Sequence, residues 1–155
     1  MTAGQRAAKG ELRVFLTVDT LQPQFAAYMG TPARARGYPP YAGQHALIIE
    51  VAPGLMIERV MDLALKADPD LEPGILFVER QFGILEIHGN DKDKLLAAGR
   101  AVLKGLGLSE SDQLAPRLLF ADVIADTADQ QAVIISRNRQ ASMVMPGETL
   151  LVVEM

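Results

Sequence analysis

The chain has 155 residues, 49% of them hydrophobic and 22% charged, with a net charge of −4 and no cysteine. That balance describes a folded globular chain with a sizeable core rather than a disordered one. It offers no concentrated basic face for nucleic acid, and the missing thiols exclude disulfides, thiolate zinc sites and a cysteine nucleophile, in keeping with a reducing cytoplasm.

Met1 to Gly10 lacks the apolar core of a secretion signal and reads as a flexible arm. No apolar run reaches the roughly 20 residues that a membrane helix needs. Leu12 to Val18 has a strand pattern with Val14, Leu16 and Val18 on one face. Gln22-Pro23 interrupts it, and Gln24 to Met29 suits a short helix. Gly30 to Gly43 is irregular, with Arg34, Arg36, Tyr38 and Tyr41 among its prolines and glycines. It suits either a solvated loop or a contact with an anionic metabolite or a neighbouring subunit. Ala46 to Ala52 is an apolar strand broken only by Glu50, which predicts burial on both faces. Pro53-Gly54 turns the chain into an amphipathic helix over Leu55 to Ala67, ended by Pro69 and Pro73. Ile75 to Glu79 and Gly83 to His88 are strands joined at Arg80-Gln81-Phe82. Asn90 or Asp91 caps a helix over Lys92 to Leu106, with Gly105 and Gly107 at its end. Leu118 to Ala125, Ala132 to Ile135 and Thr149 to Glu154 read as three further strands.

Strand, helix, strand, strand, helix is the core of a split β-α-β sandwich: α+β class, an antiparallel sheet with two helices on one face. The Leu12 strand precedes that core and fits a sheet position that an unpermuted version fills from its C-terminus. From about residue 118 the chain repeats itself. Val18-Asp19-Thr20 and Gln24 align with Ala125-Asp126-Thr127 and Gln131, and Gly43-Gln44 through Val51 align with Gly147-Glu148 through Met155. Two tandem domains are expected, the first over 11–117 and the second beginning at 118 and stopping before its later helices. The second copy carries its own basic stretch, with Arg137 and Arg139, near the place of Arg34 and Arg36.

Signatures of catalysis are few. His45 and His88 stand alone, without a second histidine or a carboxylate at helical spacing, so no metal site is expected. Neither a Gly-Lys-Ser/Thr phosphate loop nor a Gly-x-Ser-x-Gly elbow occurs, and no cofactor is expected. Glu50 and Glu86 alone lie in apolar strands, where each is either a pKa-shifted acid or base or the partner of an arginine such as Arg59 or Arg100. Gly83 suits a close backbone approach, a positive φ or a hairpin bulge.

Several motifs in order carry a resemblance. Leu21-Gln22-Pro23-Gln24-Phe25-Ala26-Ala27-Tyr28, Ile49-Glu50-Val51-Ala52-Pro53-Gly54, Leu63-Ala64-Leu65-Lys66-Ala67, Val78-Glu79-Arg80-Gln81-Phe82-Gly83, Glu86-Ile87-His88 and the run Ala97 to Leu103 lie in the first copy. Asn138-Arg139, Ser142-Met143 and Pro146-Gly147 continue it in the second. Together they resemble the circularly permuted, tandem-domain shell proteins of carboxysomes and other bacterial microcompartments, over about Glu11 to Met155. The resemblance implies a permuted BMC fold and a structural role in a cytoplasmic protein shell. Three chains form a pseudohexagonal tile, two tiles can stack, and tiles meet other shell proteins at their edges. It also implies a central pore for small metabolites, gated by side-chain rearrangement of Glu79 and Arg80 within the loop that continues through Gln81, Phe82 and Gly83. Lys66 falls where related tiles use a lysine at the edge, although Asp68-Pro69-Asp70-Leu71-Glu72-Pro73 after it is longer and more acidic than that motif. Two other readings of the residues stay open: a small-molecule-binding regulatory domain that dimerises, and an enzyme using Glu50 or Glu86.

Overall fold

A computed structural model describes residues 10–31, 37–138 and 144–154. The chain divides into two compact units between Leu114 and Ala115. In chain order the first contains β1 (Glu11–Val18), α1 (Pro23–Met29), β2 (His45–Ala52), α2 (Met56–Ala67), β3 (Glu72–Val78), β4 (Gly83–Gly89), α3 (Lys92–Leu106) and a 3-10 turn at Glu110–Asp112. The second contains β5 (Phe120–Ile124), α4 (Asp129–Asn138) and β6 (Leu150–Glu154).

In the first unit the strands pair antiparallel in the order β1-β2-β4-β3. Period-two alternation gives the sheet two faces. Leu12, Leu47, Ile49, Val51, Leu85 and Ile87 share one face with the inward residues of α2 (Ile57, Val60, Ala64) and α3 (Leu95, Ala98, Val102, Leu103). Gly99 lets α3 come close to this face, since a Cβ there would stand 2.9 Å from the Phe15 ring and 3.0 Å from Leu47. Helices α2 and α3 therefore lie on one face, as the order of elements predicts. Val14, Leu16 and Val18 do share a face of β1, as their alternation predicts, but it is the opposite one, and Leu16 is exposed. A register shift between Leu12 and Val14 turns Leu12 and Phe15 toward the helices. On that opposite face a small cluster forms under α1, from Leu21, Ala26, Met29 and Ala46.

Local chemistry accounts for the helix ends. The Asp91 carboxylate accepts from the amides of Asp93 and Lys94 at 3.0 and 3.1 Å, which caps α3, and Gly107 ends it at φ 67°. Pro69 follows α2, but Pro73 does not terminate it. Pro73 lies inside β3, an edge strand that tolerates a missing amide donor, next to a register shift.

The second unit corrects two expectations. Ala132 to Ile135 is helical, within α4, although its β-branched run suggested a strand. The repeat is also displaced by one residue in its first half. Leu21 donates to Gln44 O and accepts from Gly43 N, and Thr127 does the same with Glu148 and Gly147. Thus Leu21 corresponds to Thr127, one residue off the alignment of Asp19-Thr20 with Asp126-Thr127. The match then extends through the ribbon. Val18 pairs with Ala46 as Ile124 with Leu150, and Val14 pairs with Glu50 as Phe120 with Glu154. Gly43 and Gly147 both adopt left-handed φ, 90° and 80°. Gln44 and Glu148 each hook a side-chain oxygen onto the amide three residues earlier, at 2.7 and 2.9 Å. Leu118, Val123, Leu151 and Val153 occupy the face that α2 and α3 cover in the first unit, and they are 46–71% exposed. A bare two-stranded ribbon is marginal in water, so this face calls for an apolar cover.

Candidate functional site

The residues singled out as a pore loop form the tip between β3 and β4. Val78 and Gly83 make the last strand pair, and Glu79 N donates to Phe82 O at 2.8 Å to close the turn. Glu79, Arg80 and Gln81 are exposed, while Phe82 is half-buried with its ring 5.7 Å from that of Phe77. Among the described residues no ion pair within 4.0 Å involves Glu79 or Arg80. Both charges are thus presented on a well-formed turn. The tip rests against the β2–α2 turn, where Gly54 N donates to Arg80 O at 3.4 Å. Gly83 does not use a positive φ. It is small because a Cβ there would lie 2.4 Å from Gly54 O and 2.6 Å from Ile57 Cβ.

Lys66, in the last turn of α2, is 73% exposed and reaches Asp62 at 2.6 Å, one helical turn back. Arg59 also reaches Asp62, at 3.0 Å. The hydrogen bond from Lys66 is the largest cause holding the Asp62 carboxyl below its ordinary range. The acidic stretch after Lys66 is folded rather than free. Asp68 is buried at its carboxyl, which accepts from Asp70 N at 2.9 Å. Lys94 from α3 meets Asp70 at 2.8 Å and Asp68 at 3.6 Å. That hydrogen bond lowers the Asp70 pKa and raises that of Lys94.

Arg34, Arg36 and Arg139 lie outside the described residues. Arg137 is exposed in the last turn of α4, and Tyr38 and Tyr41 are exposed in the segment before β2. Gly37 and Tyr38 donate their amides to Gly74 O and Pro73 O at 2.5 and 2.9 Å, which docks that segment on the edge of β3.

The two strand acids have other partners than expected. Glu50 lies 3.7 Å from Arg13. Glu86 pairs with His88, whose Nδ1 is 3.0 Å from Glu86 Oε1, and Arg59 is committed to Asp62. His88 is therefore not alone. Its carboxylate sits two residues away on the same face of β4, a spacing natural to strands and missed by a search at helical spacing. Both side chains are sealed, Glu86 at 1% and His88 at 0% exposure. Among the described residues Glu86 Oε2 and His88 Nε2 have no hydrogen-bond partner, although Glu72 Oε2 approaches Nε2 to 3.5 Å. His45 Nδ1 meets the Asp19 carbonyl, and the Asp19 carboxyl is held low chiefly by a hydrogen bond from Lys92, at 2.7 Å. Among the described residues no group of three or more His, Asp or Glu is arranged to hold a metal ion. Among them, too, no helix is long and apolar enough to cross a membrane.

Known proteins match this arrangement. A family model for the CsoS1D N-terminal domain matches residues 12–112. The chain is 42% identical over 144 residues to the carboxysome shell protein CcmP of Synechococcus elongatus, covering 93% of this chain and 66% of that one. It is 39% identical over 145 residues to the carboxysome shell protein CsoS1D of Prochlorococcus marinus, covering 93% and 56%. The solved structure of a double-ringed trimeric shell protein from the RMM microcompartment superposes with a TM-score of 0.67 at 58% identity, over 93% of this chain and 68% of that one. The chain thus spans less than two thirds of the length of the two carboxysome relatives.

Proposed function

The chain belongs to the tandem-domain shell proteins of bacterial microcompartments, and on that footing we propose that it is a structural tile: three copies, each contributing two equivalent units, build a pseudohexamer that packs into a shell. The observation that carries this reading is the bond-for-bond duplication of β1-α1-β2 in β5-α4-β6. Two equivalent units per chain are what a threefold assembly needs to imitate sixfold symmetry. In this reading the first domain spans 11–117 and the second begins at 118, and the tile resides in the microcompartment shell within the cytoplasm. Other shell proteins meet it at its edges, with Lys66 as an edge contact, and two tiles stack. Arg34, Arg36, Arg137 and Arg139 serve subunit or anion contacts.

The tip bearing Glu79, Arg80, Gln81, Phe82 and Gly83 surrounds the threefold axis and passes small metabolites. Three arginines brought to one axis repel unless each finds a carboxylate, and Glu79 is the neighbouring one. Glu79–Arg80 pairing and its loss are two arrangements of comparable energy, which is what a gate requires. The readings as an enzyme or an effector-binding domain have less support. The named relatives are shell proteins, Glu86 is sealed from solvent, and Glu50 faces Arg13. Glu79→Ala and Arg80→Ala test the gate: trimers are expected to persist, with side-chain density at the axis altered in crystals of the assembled tile. Variants with an unchanged axis remove Glu79 and Arg80 from the pore.

A further inference from the structure

Two segments far apart in sequence, the Pro53-Gly54-Leu55 turn and the 79–82 tip, interlock through residues that have no side chain. A Cβ on Gly54 would lie 1.7 Å from Glu79 O and 2.6 Å from Phe82 O. These are the carbonyls at the two ends of the turn that presents Glu79 and Arg80. From the other side, Gly83 admits Gly54 O to within 2.4 Å of its own would-be Cβ. The Gly54 amide donates to Arg80 O, so the contact is polar as well as steric.

We propose that Gly54 is a positioning residue for the pore tip: it clamps the backbone of residues 79–82, so that opening and closing are left to the Glu79 and Arg80 side chains. The proposal rests on the pore reading for its purpose, while the clamp itself is a property of one chain. Its physical reason is direct. Backbone carbonyls cannot rotate away from an intruding methyl group as a long side chain can. An alanine at 54 must separate turn and tip until 1.7 Å becomes more than 3.0 Å, a displacement of about 1.3 Å. Shifts of about 1 Å are enough to spoil the alignment of functional groups.

The test compares Gly54→Ala with Gly74→Ala in the assembled protein. Gly74 is the control because the three atoms nearest to a Cβ there belong to Glu86 (2.1 Å), Tyr38 (3.0 Å) and His88 (3.2 Å) rather than to the tip. Hydrogen exchange of the 79–82 peptide is expected to accelerate about tenfold or more in Gly54→Ala and to stay unchanged in Gly74→Ala. The crystal structure of the Gly54→Ala tile is expected to show the Glu79 and Arg80 backbone displaced. Equal exchange in the two variants, or an unmoved tip in Gly54→Ala, overturns the clamp and leaves the shell reading intact. Conversely, unsubstituted protein without threefold particles removes the shell reading, while the exchange comparison still decides the clamp. Should Gly54→Ala fail to fold, the unsubstituted protein supplies the answer. The Gly54 and Glu79 amides must be protected, and exchange at the rate of an open loop refutes the proposal.

Discussion

The buried Glu86–His88 pair makes the most quantitative prediction about the first unit. Among the described residues each side chain keeps one buried polar atom without a hydrogen-bond partner, and each such atom costs about 1–3 kcal/mol relative to a bonded one. His88→Leu removes the imidazole that Glu86 Oε1 bonds at 3.0 Å and leaves the carboxyl, among the described residues, without a hydrogen-bond partner in a sealed site. Leaving a buried polar group without its partner in this way costs about 1–3 kcal/mol. Glu86→Met takes the carboxylate from His88 Nδ1 and leaves the imidazole facing Glu72 at 3.5 Å, at a cost of about 1–3 kcal/mol. The double variant Glu86→Met/His88→Leu removes both polar groups together, and it is expected to match or slightly exceed the parent. In urea, with a slope of about 2 kcal/mol per molar, His88→Leu lowers the midpoint by roughly 0.5–1.5 M and the double variant restores it. Equilibrium unfolding followed by circular dichroism measures all four proteins. A double variant as unstable as the sum of the singles would refute the reasoning, because the two losses would then be independent.

Asp91→Ala deletes both hydrogen bonds that cap α3 and is expected to cost about 1 kcal/mol in a urea titration, with assembly unaffected. Lys94→Met removes the cation that lowers the Asp70 pKa and has its own pKa raised in return. The depressed carboxyl stabilises the fold above its ordinary range and loses that contribution as pH falls through its folded-state value. The raised amine contributes below its ordinary range and loses it as pH rises through its folded-state value. Acid titration of Lys94→Met should therefore fall less steeply below about pH 4 than the parent. Lys66→Ala breaks an exposed pair one helical turn long, so stability should change by no more than about 0.5 kcal/mol. Its effect is expected instead on extended sheets in electron micrographs, and sheets of normal extent take Lys66 out of the edge.

The elements that were legible are those whose periodicity reports burial. The apolar run Ala46 to Ala52 marks β2, whose Leu47, Ile49 and Val51 join the core, and Ile57, Val60 and Ala64 recur at helical spacing in α2. Asp91 and Gly107 mark the ends of α3 by side-chain and backbone chemistry that acts locally. Ala132 to Ile135 misled because Val133, Ile134 and Ile135 favour a strand intrinsically. The helix follows from the duplicated context, in which Ala132 is buried as Ala26 is. The repeat slipped by one because the Asp-Thr identities are exposed or incidental, whereas burial fixes the equivalence of Leu21 and Thr127 at 1% each. Partners of Glu50 and Glu86 depend on strand register and on the shift in β1, which brings Arg13 beside Glu50. Sequence spacing alone holds no record of that. The position of Glu79 and Arg80 on an exposed turn was legible, but the role of Gly54 was not, because the two segments meet only after the sheet has formed.

Native mass spectrometry of the full-length protein, with electron-microscopic averaging of the same sample, bears most directly on the claim that three duplicated chains close into one ring. The account predicts masses at multiples of three protomers and flat particles with a threefold axis surrounding a central hole bordered by residues 79–83. A population consisting of monomers and dimers, or particles without that axis, contradicts it.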